Sequence, residues 1–222
     1  MPSLPLVLLP GLDGTGTLFE PLTSTAPPGI TPIVIRLPEL ASYDELLREI
    51  RLPIGRFAIL GESFSGPLAL SIARVYPDRV VAVILCNTFV SPPITRLLRF
   101  FPWSVLFLLP IPRFIIRWFF VGRAASADLV SAVRSAVAAT PRRVLAARMH
   151  AVFSLPKPDF RIEVPVLVLS GKRDALVKPN VREFQKIGWR VVHKSVDAPH
   201  LLLQAAPVEA WREISAFLEK SS

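Results

Sequence analysis

The amino-acid sequence predicts an α/β fold with a mostly parallel sheet flanked by helices. Outside the middle third, short runs rich in leucine or β-branched residues alternate with longer segments of helical periodicity, which is the pattern of strand–helix–strand units. Apolar residues make up 51% of the 222 residues and charged residues 19%, a balance that excludes a disordered chain and favours a well-filled core. The length corresponds to one domain, or to one domain with a large insertion.

Six runs have the character of strands, and helical patterns follow them. The strands are predicted at residues 4–9, 30–37, 57–60, 80–85, 164–170 and 190–196. The main helices outside the middle third are predicted at residues 18–25, 43–51, 66–76 and 201–218. The fourth run is apolar throughout, as expected of a strand that is buried on both faces. Ser42 and Glu45 are predicted to form a capping box at the start of the second of these helices.

The middle third carries no strand pattern. Its helices are predicted at residues 94–101, 113–121, 127–139 and 142–152, separated by prolines and Gly122. We therefore predict a core at residues 1–90 and 153–222 and an all-helical insertion at residues 91–152, after the fourth strand. An insertion at this point would lie over the carboxyl ends of the strands, where parallel sheets bind ligands. An ordinary helical subdomain is the alternative.

The hexapeptide GESFSG, at residues 61–66, lies between a predicted strand and a predicted helix. A serine in such a tight turn is held in a strained backbone conformation with its hydroxyl exposed. Small residues two positions before and after it let the turn close, and Gly61 and Ser65 occupy those positions around Ser63. Ser65 is a second candidate nucleophile, but it has a serine instead of a glycine two positions before it. Ser63 therefore fits the turn better.

A serine nucleophile needs a base that a third group orients. Of the three histidines, His200 follows the last strand and can reach the carboxyl edge of the sheet, whereas His193 falls inside that strand and His150 in a helix of the insertion. Asp174 follows the fifth strand, at the same edge, and is the predicted orienting acid. Asp197 is the competitor, although its position suits a turn residue better.

The order Ser63, Asp174, His200 resembles that of the α/β-hydrolase superfamily, in its esterase, lipase and thioesterase branch, across nearly all of the chain outside the insertion. The resemblance implies that Ser63 is the nucleophile, His200 the general base and acid, and Asp174 its orienting partner. It also implies that the insertion is a cap that shapes an acyl pocket. The chain then begins at the family's third strand, which leaves a sheet of about six strands.

The loop LPGLDGTG, at residues 9–16, has glycines that let backbone N–H groups approach a ligand, but it lacks the lysine of a nucleotide-binding loop. In the family that the chain resembles, this loop gives one N–H group to the oxyanion hole and the residue after the nucleophile gives the other. By that resemblance the donors are Leu12 and Phe64. Asp13 is interpreted as a turn-stabilising residue. Glu62, beside Ser63, is interpreted as a solvent-reaching or ion-paired carboxylate, and a residue that tunes the site is the alternative.

The leading functional hypothesis is hydrolysis of a small-molecule acyl ester or thioester through an acyl-serine intermediate. Acyl transfer to an alcohol uses the same first step and is the first alternative. A ligand-binding protein of this fold with little turnover is the second. No cofactor is expected, and three scattered histidines with one cysteine give no spacing for a metal site.

The cellular setting expected from the sequence is cytoplasmic, with peripheral membrane association as an alternative. Cys86 is the only cysteine and has no partner for an internal disulfide. The first residues lack the basic region and cleavage site of a signal peptide. The most apolar segment, residues 100–112, is interrupted by prolines and is shorter than the roughly 20 residues that a transmembrane helix needs.

The net charge of +9 is concentrated in the insertion. Residues 91–150 contain nine arginines and a single acid, Asp128, and so carry a net charge of +8. The rest of the chain is nearly neutral, and this makes nucleic acid a less favoured partner. Eight aromatic residues lie between residues 100 and 120, and they either line an acyl tunnel, touch lipid or form the insertion's own core. The expected anionic partners are a lipid surface, a phosphate-bearing thioester or an acidic acyl-carrier protein; solvated helix faces are the alternative.

Overall fold

The computed structural model describes residues 3–188 and 190–221 and contains one six-stranded sheet. Its strands are β1 (Leu4–Leu9), β2 (Ile30–Val34), β3 (Phe57–Glu62), β4 (Val80–Cys86), β5 (Val166–Gly171) and β6 (Val191–Val196). Their order across the sheet is β2-β1-β3-β4-β5-β6, and each neighbouring pair is parallel. The predicted parallel sheet is confirmed. β2 ends three residues before the predicted boundary, and the Leu37 N–H donates to the Gly14 carbonyl instead.

Helices connect the strands. The α-helices of the described residues are α1 (Glu20–Thr23), α2 (Tyr43–Glu49), α3 (Gly66–Val75), α4 (Trp103–Leu106), α5 (Arg113–Ile115), α6 (Ala127–Ala138), α7 (Arg142–Ser154), α8 (Val181–Ile187), α9 (Leu202–Ala205) and α10 (Pro207–Glu219). Short 3-10 helices lie at Thr17–Phe19, Ser63–Ser65 and Arg96–Phe100, and a π-helix lies at Ile116–Val121. None of the helices in this described part of the chain is both long and apolar enough to cross a membrane.

Two local predictions were wrong. The side chain of Ser42 makes no capping hydrogen bond at the start of α2, and the side chain of Glu45 is exposed to solvent, so no capping box forms. The single helix predicted at residues 201–218 is two helices, α9 and α10. The break falls at Ala206, which precedes a proline and has a φ of −143°, because a residue before proline avoids the helical conformation.

The sheet has a buried core on each face because the side chains of a strand alternate in direction. In β1, Val7 and Leu9 face the side covered by α2, α3, α7 and α8, whereas Leu6 and Leu8 face the side covered by α1, α9 and α10. The central strands β3 and β5 are buried along their whole length. The strand register brings the residues that follow β1, β3, β5 and β6 to the same edge.

The 91–152 segment consists of helices and loops, and its described residues pair with no strand. Its last helix, α7, packs against the sheet: Val152 and Phe153 belong to the same buried cluster as Val83 of β4. The Trp103 ring stacks on the Phe153 ring with 5.4 Å between their centroids. The segment therefore shares the hydrophobic core of the sheet along α7, while α6 packs separately with the π-helix.

Candidate active site

Ser63 lies in the turn between β3 and α3 with a φ of +49°, in the left-handed region that a residue with a side chain rarely adopts. The turn closes only because small residues flank it. A Cβ added to Gly61 would lie 2.5 Å from the Ser65 carbonyl oxygen, and one added to Gly66 would collide with the Thr88 side chain. The Thr88 hydroxyl also donates to the Ser63 carbonyl. These contacts hold Ser63 in its strained conformation.

The hydroxyl of Ser65 is fully buried and donates to the Pro10 carbonyl at 2.5 Å. Ser65 therefore joins the turn after β3 to the loop after β1. Its hydroxyl is already used in this contact and is closed to solvent, whereas the side chain of Ser63 is partly accessible. Of the two candidate nucleophiles, only Ser63 has the geometry to meet a ligand.

Three side chains form a continuous hydrogen-bonded chain. The Oγ of Ser63 lies 3.0 Å from Nε2 of His200, and Nδ1 of His200 lies 2.9 Å from Oδ2 of Asp174. Asp174 is 1% exposed and His200 is 4% exposed. The second carboxylate oxygen of Asp174 accepts hydrogen bonds from the backbone N–H groups of Leu176 and Val177, at 2.7 and 3.0 Å. This arrangement places the Nδ1 proton toward the acid and leaves Nε2 to accept the serine proton.

Asn87, which the sequence analysis did not single out, holds the loops that carry Asp174 and His200. It follows β4 with a φ of +44°, a conformation that asparagine tolerates. Its side-chain amide donates to the carbonyls of Pro199 and His200, at 3.1 and 2.5 Å, and its amide oxygen accepts from the Gly171 N–H at 2.7 Å. An asparagine after an apolar strand gives no distinct sequence signal, so this role becomes visible only in three dimensions.

The remaining histidines and the competing acid lie outside this chain of hydrogen bonds. His193 is in β6 and bonds to the Ser170 hydroxyl at 2.8 Å, and the Nδ1 of His150 donates to the Arg99 carbonyl at 2.7 Å. Asp197 forms a salt bridge with Arg173 at 2.7 Å. Each of these groups thus has a structural contact elsewhere.

The loop after β1 lies beside the candidate nucleophile. A Cβ added to Gly11 would lie 3.8 Å from the Cβ of Ser63, so a larger residue there would begin to fill the site. The backbone N–H groups of Leu12 and Phe64 donate in none of the turn and loop hydrogen bonds of the described residues. An N–H group in the first turn of a helix, such as that of Phe64, also has no partner within the helix. Both groups are therefore candidate donors to a ligand oxygen.

Asp13 stabilises this loop, as interpreted from the sequence. Its Oδ2 accepts hydrogen bonds from the backbone N–H and the hydroxyl of Thr15, at 2.8 and 2.5 Å. Its carbonyl accepts a hydrogen bond of 2.7 Å from the hydroxyl of Thr140, which joins the loop to the segment between α6 and α7. The carboxylate is engaged within the loop.

Arg148 of α7 is the largest fully buried side chain, at 1% exposure, although it counted as one of the insertion's basic residues in the sequence. Its guanidinium donates to three backbone carbonyls, those of Leu12, Pro38 and Leu40, at 2.8, 2.8 and 3.0 Å. Burial lowers the pKa of Arg148 to about 10, partly offset by Asp13 and Glu39, so the group remains charged at neutral pH. α7 is thereby fastened to the loops after β1 and β2.

Arg148 also reaches the second predicted oxyanion donor. Its guanidinium carbon lies 5.5 Å from the centroid of the Phe64 ring, and the Tyr43 ring stacks on Phe64 with 5.0 Å between centroids. The Tyr43 hydroxyl donates to the Phe64 carbonyl at 3.0 Å. One arginine therefore contacts both residues whose N–H groups are candidates for the oxyanion hole. A Cβ on Gly14, whose φ is +72°, would collide with this guanidinium.

The expectation that Glu62 reaches solvent or forms an ion pair was wrong. Its side chain is 2% exposed and receives a hydrogen bond of 3.3 Å from the Gln204 amide. The Oε1 atoms of Glu62 and Gln204 are buried without a partner among the described residues. Burial raises the pKa of Glu62 to about 8, because a carboxylate loses its hydration there. Glu62 is buried because every residue of β3 is enclosed by neighbouring elements.

We expect Glu62→Gln to remove a pH dependence of stability. Between the ordinary pKa of 4.5 and about 8, the folded protein holds a proton on Glu62 that the unfolded chain has released. The stabilisation is therefore complete below the lower value, and it falls by about 1.4 kcal/mol per pH unit as the pH rises toward the upper one. Urea unfolding at several pH values measures this slope. Glu45→Gln, at an exposed position, is the control; equal slopes in the wild type and Glu62→Gln would contradict the prediction.

A cleft of about 500 Å³ lies between the loop after α4, helix α6 and the start of α7. Apolar side chains such as Phe107, Leu109 and Leu145 line it, together with Arg134 and Arg142. Thr140 lines the cleft as well, and this residue contacts the loop after β1 through Asp13. The cleft is thus linked to the loop after β1 through Thr140, and Ser63 is not among its lining residues.

Comparison with known proteins agrees with this architecture. The model of the alpha/beta hydrolase family matches residues 6–214. No match was found among the curated proteins. Among solved structures, the chain is similar to a thermophilic esterase from Thermogutta terrifontis, with 20% identity, a TM-score of 0.75 and coverage of 99% of this chain and 91% of the esterase.

Two further structures show the same fold. An enol-lactonase from Burkholderia xenovorans LB400 has 19% identity and a TM-score of 0.75, with 99% of this chain and 92% of the lactonase covered. A hydrolase from Oleispira antarctica has 14% identity and a TM-score of 0.78, with 99% and 91% covered. At sequence identities of 20% or less, these structures show a shared fold and not a shared activity.

Proposed function

The chain belongs to the alpha/beta hydrolase family, and on that premise we propose that it is a serine hydrolase that cleaves carboxylic esters or thioesters through an acyl-serine intermediate. The observation that carries the proposal is the chain of hydrogen bonds from Ser63 through His200 to Asp174. A serine is a weak nucleophile at neutral pH and becomes reactive when an oriented imidazole accepts its proton. The buried carboxylate of Asp174 supplies that orientation and stabilises the imidazolium that forms.

The proposed reaction has two halves. His200 takes the proton of the Ser63 hydroxyl as its oxygen attacks the acyl carbon, and the negative charge that develops on the carbonyl oxygen is held by the N–H groups of Leu12 and Phe64. The intermediate collapses, and the leaving alcohol or thiol receives the proton from His200. A water molecule then gives a proton to His200 as its oxygen attacks the acyl carbon. The bond from the acyl carbon to the Ser63 oxygen breaks as His200 returns the proton to that oxygen, which releases the acid and the free serine.

The cleft supports an acyl substrate with a negatively charged part. Apolar side chains around most of its wall suit a hydrocarbon chain, and Arg134 and Arg142 suit an anionic group such as a phosphate or carboxylate. Thr140, one of the lining residues, donates to the carbonyl of Asp13 in the loop that carries Leu12. The proposed substrate is therefore an acyl ester or thioester of an anionic compound.

Labelling with a fluorophosphonate probe tests the proposal directly. We expect the probe to attach to Ser63, as located by peptide mass spectrometry, and Ser63→Ala to remove the labelling. Ser65→Ala is the matched control, since it changes a serine two positions away whose hydroxyl faces the Pro10 carbonyl. Labelling should persist in that control.

The products formed from nitrophenyl esters of increasing acyl length then identify the type of reaction. Release of free acid supports hydrolysis, and formation of a new ester when an alcohol is added would show acyl transfer instead. Labelling without any turnover would favour a ligand-binding protein. Absence of labelling in the folded wild type would contradict the role of Ser63.

A further inference from the structure

We infer that residues 94–119, here called the arginine-aromatic segment, form a surface that docks on an anionic lipid bilayer. The first observation is an unusual concentration of exposed apolar side chains. Of the sixteen large hydrophobic residues that are exposed in the described parts of the chain, eleven lie within these 26 positions. Phe100, Phe114 and Trp118 are 72%, 62% and 59% exposed. A concentration of this kind marks an interaction site, whereas the five other residues are scattered singly.

The second observation is the sign of the charge. Four arginines lie in the segment, and the chain has no acidic residue between Asp78 and Asp128. None of the salt bridges that the described residues form involves these arginines. Arg99 lies over the Phe100 ring at 4.6 Å, so one charge and one aromatic ring are presented together. The segment therefore carries an uncompensated positive charge together with exposed aromatic rings.

This combination fits a lipid surface better than a protein. Tryptophan and phenylalanine rings partition into the headgroup region, while arginine side chains keep their charge at the level of the phosphates. A second copy docking through the same patch would bring arginines against arginines. An acidic carrier protein would match the charge but would leave most of the large apolar side chains uncovered. An anionic bilayer satisfies both properties at once.

The helices of the segment favour binding on the bilayer instead of insertion across it. The 3-10 helix Arg96–Phe100, helix α4 and the π-helix Ile116–Val121 have five, four and six residues. Such short elements can lay side chains into the interface but cannot span about 30 Å of hydrocarbon. Phe107 and Leu109 of the segment also line the cleft described above, so the segment forms part of the cleft wall.

Flotation with vesicles tests the inference, and it does not depend on the proposed hydrolysis. We expect the wild type to bind vesicles of phosphatidylglycerol and phosphatidylcholine, to bind pure phosphatidylcholine weakly, and to be released by high salt. Arg99→Glu with Arg113→Glu should weaken binding to the anionic vesicles by about tenfold or more. Phe114→Ser with Trp118→Ser should weaken it to a similar extent, because the apolar insertion is lost.

The matched control is Ile54→Ser with Arg56→Glu. These two exposed residues lie just before β3, at the edge of the sheet opposite the carboxyl ends of the strands. The two substitutions alter the same kinds of side chain, one apolar and one basic, as the test variants do. Binding should be unchanged in this control, and the circular dichroism spectra of all variants should show that the fold is intact. Quenching of fluorescence by brominated phosphatidylglycerol should fall in Trp118→Phe.

Three results would overturn the inference. They are absence of binding to anionic vesicles, an equal loss of binding in the control, or a wild-type dimer in solution that the segment variants dissociate. Vesicle binding by a protein that hydrolyses no ester would overturn the proposed function alone and leave the docking surface in place.

Discussion

Replacing His200 with alanine is expected to lower kcat/KM for a nitrophenyl ester by roughly 10⁴-fold or more, the largest effect of any single side chain besides Ser63. The reason is that Nε2 of His200, the proposed base, lies 3.0 Å from the Ser63 hydroxyl. Without it, the serine must lose its proton to solvent. The same variant removes the acid that protonates the leaving group, so both halves of the reaction slow.

The chain has a matched control for this experiment. His193→Ala removes a histidine from β6 whose ring bonds to the Ser170 hydroxyl and which lies seven residues before His200 in the sequence. We expect near wild-type kcat/KM in this control. Steady-state kinetics together with circular dichroism separates loss of chemistry from loss of fold. If His193→Ala and His200→Ala lowered kcat/KM equally, the assignment of the base would be wrong.

Sequence reasoning was sufficient for the sheet and for the residues at its carboxyl edge, because both follow from local patterns. Apolar runs of strand length alternate with helical periodicity, and the turn around Ser63 needs small residues at fixed spacing. Once the strands are ordered as parallel neighbours, the residues that follow them must meet at one edge. The proximity of Ser63, Asp174 and His200 is a consequence of that topology.

The features that could not be predicted are those in which a residue's environment is set by distant parts of the chain. The side-chain amide of Asn87 donates to the carbonyls of Pro199 and His200, which lie 112 and 113 positions later in the sequence. Glu62 looks like an ordinary charged residue beside the nucleophile, and only the packing around β3 makes it buried. The aromatic residues of the insertion were ambiguous between core and surface, because periodicity does not distinguish them in helices as short as these.

Arg148 is the clearest of these cases and the basis of the second large expected effect. Replacing it with methionine should lower the free energy of unfolding by about 3–5 kcal/mol, because the carbonyls of Leu12, Pro38 and Leu40 would lose a charged donor in a buried place. It should also lower kcat by roughly 100-fold at temperatures where the variant remains folded, since this guanidinium contacts both residues proposed as oxyanion donors.

A purely structural role would affect stability without a selective loss of kcat, so the two effects can be separated. Arg148 does not contact the substrate in the proposed mechanism, and it is a positioning residue. We therefore expect KM to change little while kcat falls, and Arg148→Lys to recover only a small part, since an ammonium group cannot reach three carbonyls in the planar geometry of a guanidinium.

The matched control for Arg148 is Arg143→Met, which removes an arginine one and a half turns earlier on α7 that is exposed and paired with Glu39. A surface pair of this kind contributes about 0–1 kcal/mol, and its loss should leave kcat unchanged. If Arg148→Met kept wild-type kcat in the folded state, the oxyanion loop would be rigid by itself, and the arginine would only fasten α7 to the sheet. The expected fall in kcat follows instead from the position of the guanidinium, which bonds to Leu12 and lies over the ring of Phe64 at the same time.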